Sequence, residues 1–192
     1  ELSRFDAGGV RPHMELQDIQ QVVGMAIVSV EPLARSKGSK INVDLPTELV
    51  EVELDSRRIE RLLRNLLANA IEHGEGKAID VHVGADSNAA AITVTDYGIG
   101  MSKEQLDRVF DRFWRADPSR QRTSGGTGLG LAISQEDANL HGGWLQVWAR
   151  PNQGACFRLT LPLTRGGALL SSPLPMPPSK PLWDMPEGFY HE

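Results

Sequence analysis

Asn65 and Asn69 stand four positions apart in Asn65-Leu66-Leu67-Ala68-Asn69-Ala70, and on a helix that spacing puts both carboxamides on one face. Asparagine is a mediocre helix-interior residue, costing up to about 0.7 kcal/mol relative to alanine, so the pair asks for a reason. A carboxamide oxygen is a neutral, hard ligand that suits magnesium. A solvated helix face accounts for the same pair, and on the pair alone it is the simpler account.

Further along, Asp96-Tyr97-Gly98-Ile99-Gly100 sets a carboxylate before two glycines that let a ring or a backbone approach closely. A carboxylate accepts the hydrogens of an amino group such as that of adenine, although Asp before Gly is also ordinary turn chemistry. The strongest local signal is Gly125-Gly126-Thr127-Gly128-Leu129-Gly130-Leu131-Ala132-Ile133, where glycines run into a helix start and expose N–H groups that suit phosphates. It lacks the Gly-Lys-Ser/Thr of a P-loop and the G-x-G-x-x-G dinucleotide spacing. Between these segments Phe110-Asp111-Arg112-Phe113-Trp114-Arg115 holds two arginines among aromatics, fit for polyphosphate contact or for surface ion pairs.

Elements that position these groups follow from apolar period. A helix is predicted from Leu16 to about Ser36, stopped at Lys37-Gly38. Short strands are expected at Ile41 to Leu45 and Val50 to Leu54, and Asp55 is placed to cap the next helix. Apolar positions 59, 62, 63, 66, 67, 70 and 71 define that helix and leave Arg58, Arg61, Asn65, Asn69 and Glu72 on its polar stripe. Ile79 to Val83 and Ala91 to Thr95 read as a hairpin ending at Asp96. The irregular stretch 101–128, with a short helix near Glu104 to Phe110, has the length of a lid. A helix at Leu129 to Leu140 and strands at Trp144 to Ala149 and Ala155 to Leu161 complete an α+β two-layer arrangement, a mixed, mostly antiparallel sheet with helices on one face.

A chain of 192 residues with 40% apolar residues buries one sizeable core. Its formal net charge of -5 offers nucleic acid and anionic lipid no general attraction, and no apolar run is long enough to cross a bilayer. The single cysteine, Cys156, excludes an internal disulfide and suits a reducing compartment. Residues 1–14 read as a linker or the remnant of an upstream dimerisation helix, since Glu1 opens without a targeting signal and suggests a piece of a longer protein. The core domain spans 15–165. Residues 166–192 form a Pro-rich tail, expected to be extended or disordered, in which Trp183, Phe189 and Tyr190 make a candidate docking motif.

Taken in order, the asparagine segment, Asp96 to Gly100, Phe110 to Phe113 and Gly126 to Leu131 resemble the nucleotide-binding boxes of bacterial two-component sensor histidine kinases. Arg112 to Pro118, Ser134 to Gly143 and Phe157 to Pro162 look like an actinobacterial branch of that family. The resemblance implies the Bergerat ATP-binding fold, with ATP and magnesium as ligands. Asn69 would ligate magnesium with help from Asn65, Asp96 would hold the adenine amino group, and Gly98 and Gly100 would border the base. Gly126, Thr127, Gly128, Leu129 and Gly130 would flank the phosphates, with Arg112 or Arg115 reaching the γ-phosphate. Glu72 stands where a basic residue often meets phosphate, and His73 replaces a common aromatic beside the nucleotide.

Relatives of this fold that hydrolyse ATP carry a glutamate four residues before the magnesium asparagine. Here that position is Asn65, and an amide is no general base at neutral pH. None of His13, His73, His82, His141 and His191 has the His-Glu/Asp-x-x-x-Pro context of the family's phosphoacceptor. The resemblance therefore implies a monomeric fragment on the cytoplasmic side of a membrane. Its partners would be a separate dimerisation and phosphoacceptor domain and a response regulator. The alternative is a degenerate nucleotide-binding module that regulates without transfer.

Overall fold

A computed structural model of the chain describes residues 11–114 and 128–176. Strand β1 (Glu15–Asp18) leads into helix α1 (Ile19–Lys37), which Asp18 caps by accepting from the Gln20 N–H. Gly38, in the left-handed conformation at φ 72°, closes the helix where Lys37-Gly38 predicted a stop. The start is later than the period suggested. Leu16 is 58% exposed and pairs in β1 with β3, so its place in the helical period is coincidental.

Strands β2 (Ile41–Asp44) and β3 (Glu51–Leu54) separate into different sheets, β3 pairing with β1 and β2 joining the main sheet. Helix α2 (Ser56–His73) starts at its expected cap, Asp55, which accepts from the Arg58 N–H. All seven apolar positions read from the sequence, Ile59, Leu62, Leu63, Leu66, Leu67, Ala70 and Ile71, are buried. Strands β4 (Ile79–Ala85) and β5 (Ala89–Asp96) form the expected antiparallel hairpin. The short helix α3 (Lys103–Leu106), helix α4 (Gly130–Leu140) and strands β6 (Trp144–Arg150) and β7 (Gly154–Pro162) follow.

The main sheet runs β2-β4-β5-β7-β6. Every neighbouring pair is antiparallel except β2 and β4, which are parallel because α2 lies in their connection. Alternation sends Val81 and Val83, Ala90, Ile92 and Val94, and Phe157, Leu159 and Leu161 into one cluster with the leucines of α2. Helix α2 packs on β4, β5 and β7, α4 on β6, and α1 on α2. This is the two-layer α+β architecture expected from the sequence.

The opposite face of the sheet is also covered. Residues 166–176 form no regular element, yet Thr160 Oγ1 donates to Ser172 Oγ at 2.8 Å and the Arg158 guanidinium donates to the Leu174 carbonyl. A Cβ on Gly84 would fall 2.7 Å from the Leu174 side chain, so the glycine makes room for it. These are individual contacts with no apolar period, which is why only an extended tail was legible. Residues 177–192, with Trp183, Phe189 and Tyr190, lie outside the described residues, as do 1–10 of the expected linker.

Helices α2 and α4 are joined by a polar cluster. Asp137, buried on α4, accepts from Arg58 at 3.1 Å and from Arg61 at 2.6 Å. His141 at the end of α4 donates from Nδ1 to the Asp137 carbonyl, while its Nε2 accepts the Asp55 N–H at 3.0 Å. That ring joins the C-terminal turn of one helix to the cap of the other. Replacing His141 by alanine strands a backbone donor and a carbonyl with little solvent access. The expected loss in urea denaturation is about 1–3 kcal/mol, and a change of less than a few tenths would refute the linking role.

Candidate functional site

The polar stripe of α2 divides into three parts. At its start Arg58 and Arg61 are engaged with Asp137, which fixes α4 alongside. One turn on, Asn65 Nδ2 donates to the Gly130 carbonyl at 3.2 Å and to Ser134 Oγ at 3.3 Å. A Cβ on Gly130 would lie 3.6 Å from the Asn65 carboxamide, so this glycine sits against the asparagine. Asn69 comes next on the same stripe, half-buried. At the far end the His73 carbonyl accepts from the Ile99 N–H at 3.2 Å. A Cβ on Gly98 would fall 1.8 Å from that same carbonyl, so only glycine fits.

Thus one helix carries Gly130 near its middle and the Asp96 loop at its C-terminal end. Asn65 to His73 spans eight positions, a rise of about 12 Å at 1.5 Å per residue. Asn69 lies midway.

Asp96 ends β5 and is 4% exposed. Burial pushes its carboxyl up to about 6, against the pull of the Gly98 and Ala155 N–H groups and the charge of Lys77. Its Oδ1 accepts from the Gly98 N–H at 2.9 Å, so the loop backbone fixes the carboxylate. Gly100, at φ 64°, is enclosed on the other side, where a Cβ would come within 1.8 Å of the Arg150 carbonyl. The turn between β6 and β7 completes the enclosure through Asn152, whose N–H donates to the Ile99 carbonyl at 2.7 Å.

Gly128 and Leu129 precede α4, and the Gly128 carbonyl accepts from the Phe113 N–H at 2.9 Å. Gly126, Thr127 and Arg115 lie outside the described residues, as does most of the second half of the expected lid. Arg112 is described and is paired with Glu136 on α4, both side chains more than half exposed. The structure therefore brings Asn65, Asn69, His73, Asp96, Gly98, Gly100 and Gly130 around α2, and places Arg112 in a surface ion pair.

Among the described residues no group of three or more His, Cys, Asp and Glu side chains could hold a metal alone. That composition still fits magnesium, which binds through one or two protein ligands and completes its shell with phosphates and water. The Asn65 amide nitrogen is committed to α4, leaving its carbonyl oxygen as the acceptor. Sequence reasoning missed Ser134 and Asp137, which hold α4 to the stripe. A buried acid facing two helix arginines is visible only once α4 is docked.

A family model described as histidine kinase-, DNA gyrase B-, and HSP90-like ATPase matches residues 54–165. The chain is 53% identical over 178 residues to sensor histidine kinase MtrB of Mycobacterium tuberculosis, covering 93% of this chain and 31% of that protein. It thus spans about a third of the length of that curated relative. The nucleotide-free catalytic domain of histidine kinase ThkA superposes with a TM-score of 0.70 at 25% identity, over 80% of this chain and 97% of that one. Full-length ShkA in complex with AMPPNP gives 0.73 at 25% identity, over 84% of this chain and 34% of that one.

The buried carboxyl has a measurable cost. Its folded value, about 6, lies above the ordinary 3.8, so the stability Asp96 contributes is fully present below pH 4 and is lost as the pH rises through 6, above which the cost stays constant. At pH 8 the Asp96→Asn protein, free of nucleotide, should be more stable than the parent by about 2–3 kcal/mol in urea denaturation. That advantage should shrink as the pH falls through 6 toward 4. A gain independent of pH would contradict the assignment.

Proposed function

Because the chain belongs to the histidine kinase-, DNA gyrase B-, and HSP90-like ATPase family, we propose that it is the ATP- and magnesium-binding catalytic domain of a sensor histidine kinase. The observation that carries this reading is the single helix α2, which sets Asn69 midway between the Asp96 loop and the glycines before α4. An acceptor for an amino group, a neutral hard ligand and a run of backbone donors then lie in the order of base, metal and phosphates.

In this reading Asp96 accepts from the adenine amino group and Gly98 and Gly100 leave room for the ring. Asn69, with Asn65, holds the magnesium, whose charge neutralises the polyphosphate. Gly126, Thr127, Gly128, Leu129 and Gly130 surround the phosphates, where the start of α4 offers N–H groups. His73 lies next to the base through its contact with Gly98. Arg115, or Arg112 after release from Glu136, reaches the γ-phosphate. With Asn65 in place of a general base, water is not activated, and the γ-phosphate is held for a nucleophile supplied from outside. That nucleophile is a histidine on a separate dimerisation domain, from which a response regulator aspartate receives the group. The domain works at the cytoplasmic face of a membrane.

Adding ATP and magnesium at 100 times the dissociation constant should stabilise the fold by about 2.7 kcal/mol. For a domain of this size that raises the melting temperature by roughly 2–4 °C per kcal/mol. Asn69→Ala should abolish the part that requires magnesium and Asp96→Ala the whole shift; no shift in a folded parent protein would sink the reading.

Labelled ATP incubated with this chain alone should give no stoichiometric phosphoprotein. Supplying the dimerisation and phosphoacceptor portion of MtrB should give an acid-labile phosphohistidine on that portion. Label retained on this chain instead would overturn the assignment of an external acceptor.

A further inference from the structure

Tyr97 follows the end of β5, and alternation turns its side chain to the sheet face opposite α2. There its hydroxyl donates to Asp80 Oδ2 at 2.7 Å. Asp80 is fully buried on β4, and its second oxygen accepts from Asn42 Nδ2 of β2 at 2.8 Å. The register of the parallel pair sets Asn42 directly beside Asp80, so the bond arises from the strand pairing itself. The Tyr97 carbonyl accepts from Lys77 Nζ at 2.8 Å. Burial, and then the Asp80 carboxylate, raise the phenol far above its ordinary range, so it remains a donor at neutral pH.

We propose that Tyr97, held by Asp80 and Asn42 from behind the sheet, is a positioning residue that sets the Asp96 carboxylate for discrimination of the base. The inference rests on the assignment of Asp96 to the adenine amino group. Its physical basis is the short path between the two residues. Asp96 Oδ1 is fixed by the Gly98 N–H, and Tyr97 is the single residue that separates the two along the chain. Any shift of the Tyr97 backbone therefore redirects the carboxylate. On the α2 side the His73 carbonyl blocks Gly98; on the far side the phenol and Lys77 hold Tyr97. Losing the phenolic bond frees one side of this clamp and leaves Asp80 buried with one donor fewer, a cost that favours local rearrangement.

A purely structural Tyr97 would weaken all nucleotides alike, whereas a positioning Tyr97 alters the choice among them. The test compares magnesium ATP with purine riboside 5′-triphosphate, which lacks the amino group, by equilibrium competition against a fluorescent nucleotide. The parent protein should prefer ATP. Tyr97→Phe should reduce that preference about fivefold while leaving affinity for the analogue unchanged. Asn42→Ala, on the edge strand and outside the nucleotide site, should reduce the preference in the same direction by less. If both variants melt earlier yet keep the parent's preference, Tyr97 serves stability alone and the inference falls. If the parent itself binds both nucleotides equally, the adenine role of Asp96 fails first.

Discussion

A helix against a sheet can bury only one apolar stripe, and α2 meets that constraint with seven apolar residues on one side. Its other side has to be polar, half-shielded and directed along a fixed line, because the leucines allow the helix no rotation. Arg58 and Arg61 use that side to bring in α4, and Asn65 uses it to seat Gly130. The His73 carbonyl uses it to stop Gly98 at contact distance. The geometry of the candidate site is thus a by-product of how α2 is buried. A change in its apolar face would displace every one of these partners together.

The second constraint is electrostatic. Asp96 is almost wholly buried at a strand end, where burial disfavours its ionised form and two backbone N–H groups and the charge of Lys77 offset only part of that cost. A buried carboxylate held this way has little freedom to relax, which is what makes it a directional acceptor. The glycines of the loop are part of the same arrangement. Gly98, Gly100 and Gly154 each occupy a position where a Cβ would overlap a backbone carbonyl, so the carboxylate is enclosed by main chain rather than by adaptable side chains.

Much of this was legible in the sequence, and for physical reasons. The period of α2 is strong because its burial is one-sided, and the hairpin of β4 and β5 alternates because its two faces meet different surroundings. The glycines announced close approach, though not what approaches. What escaped notice depended on contacts distant in sequence. β1 was absorbed into the predicted α1 because Leu16 happens to fall in helical phase. Asp137 faces Arg58 across 79 positions, and Tyr97 reaches Asp80 only because β4 and β5 pair as they do. The covering of the far face by residues 166–176 has no period at all, since it rests on Ser172, Leu174 and the space above Gly84.

That covering bears on how the sheet keeps its shape. A two-layer sandwich leaves one sheet face to water, and small polar residues such as Thr93, Thr95 and Thr160 suit that exposure. Here all three are buried, and Asp80 lies fully buried on the same face. The returning segment takes the end of this face near Gly84 and Arg158 out of water, while Asn42, Asp80 and Tyr97 form a polar network at the end near Asp96. With hydrogen bonds closing one end and an apolar side chain filling the other, the central strands are constrained on both faces. A loop hung on the end of β5 then inherits a rigid support, and the carboxylate it presents to the α2 side is positioned by residues that never face that side.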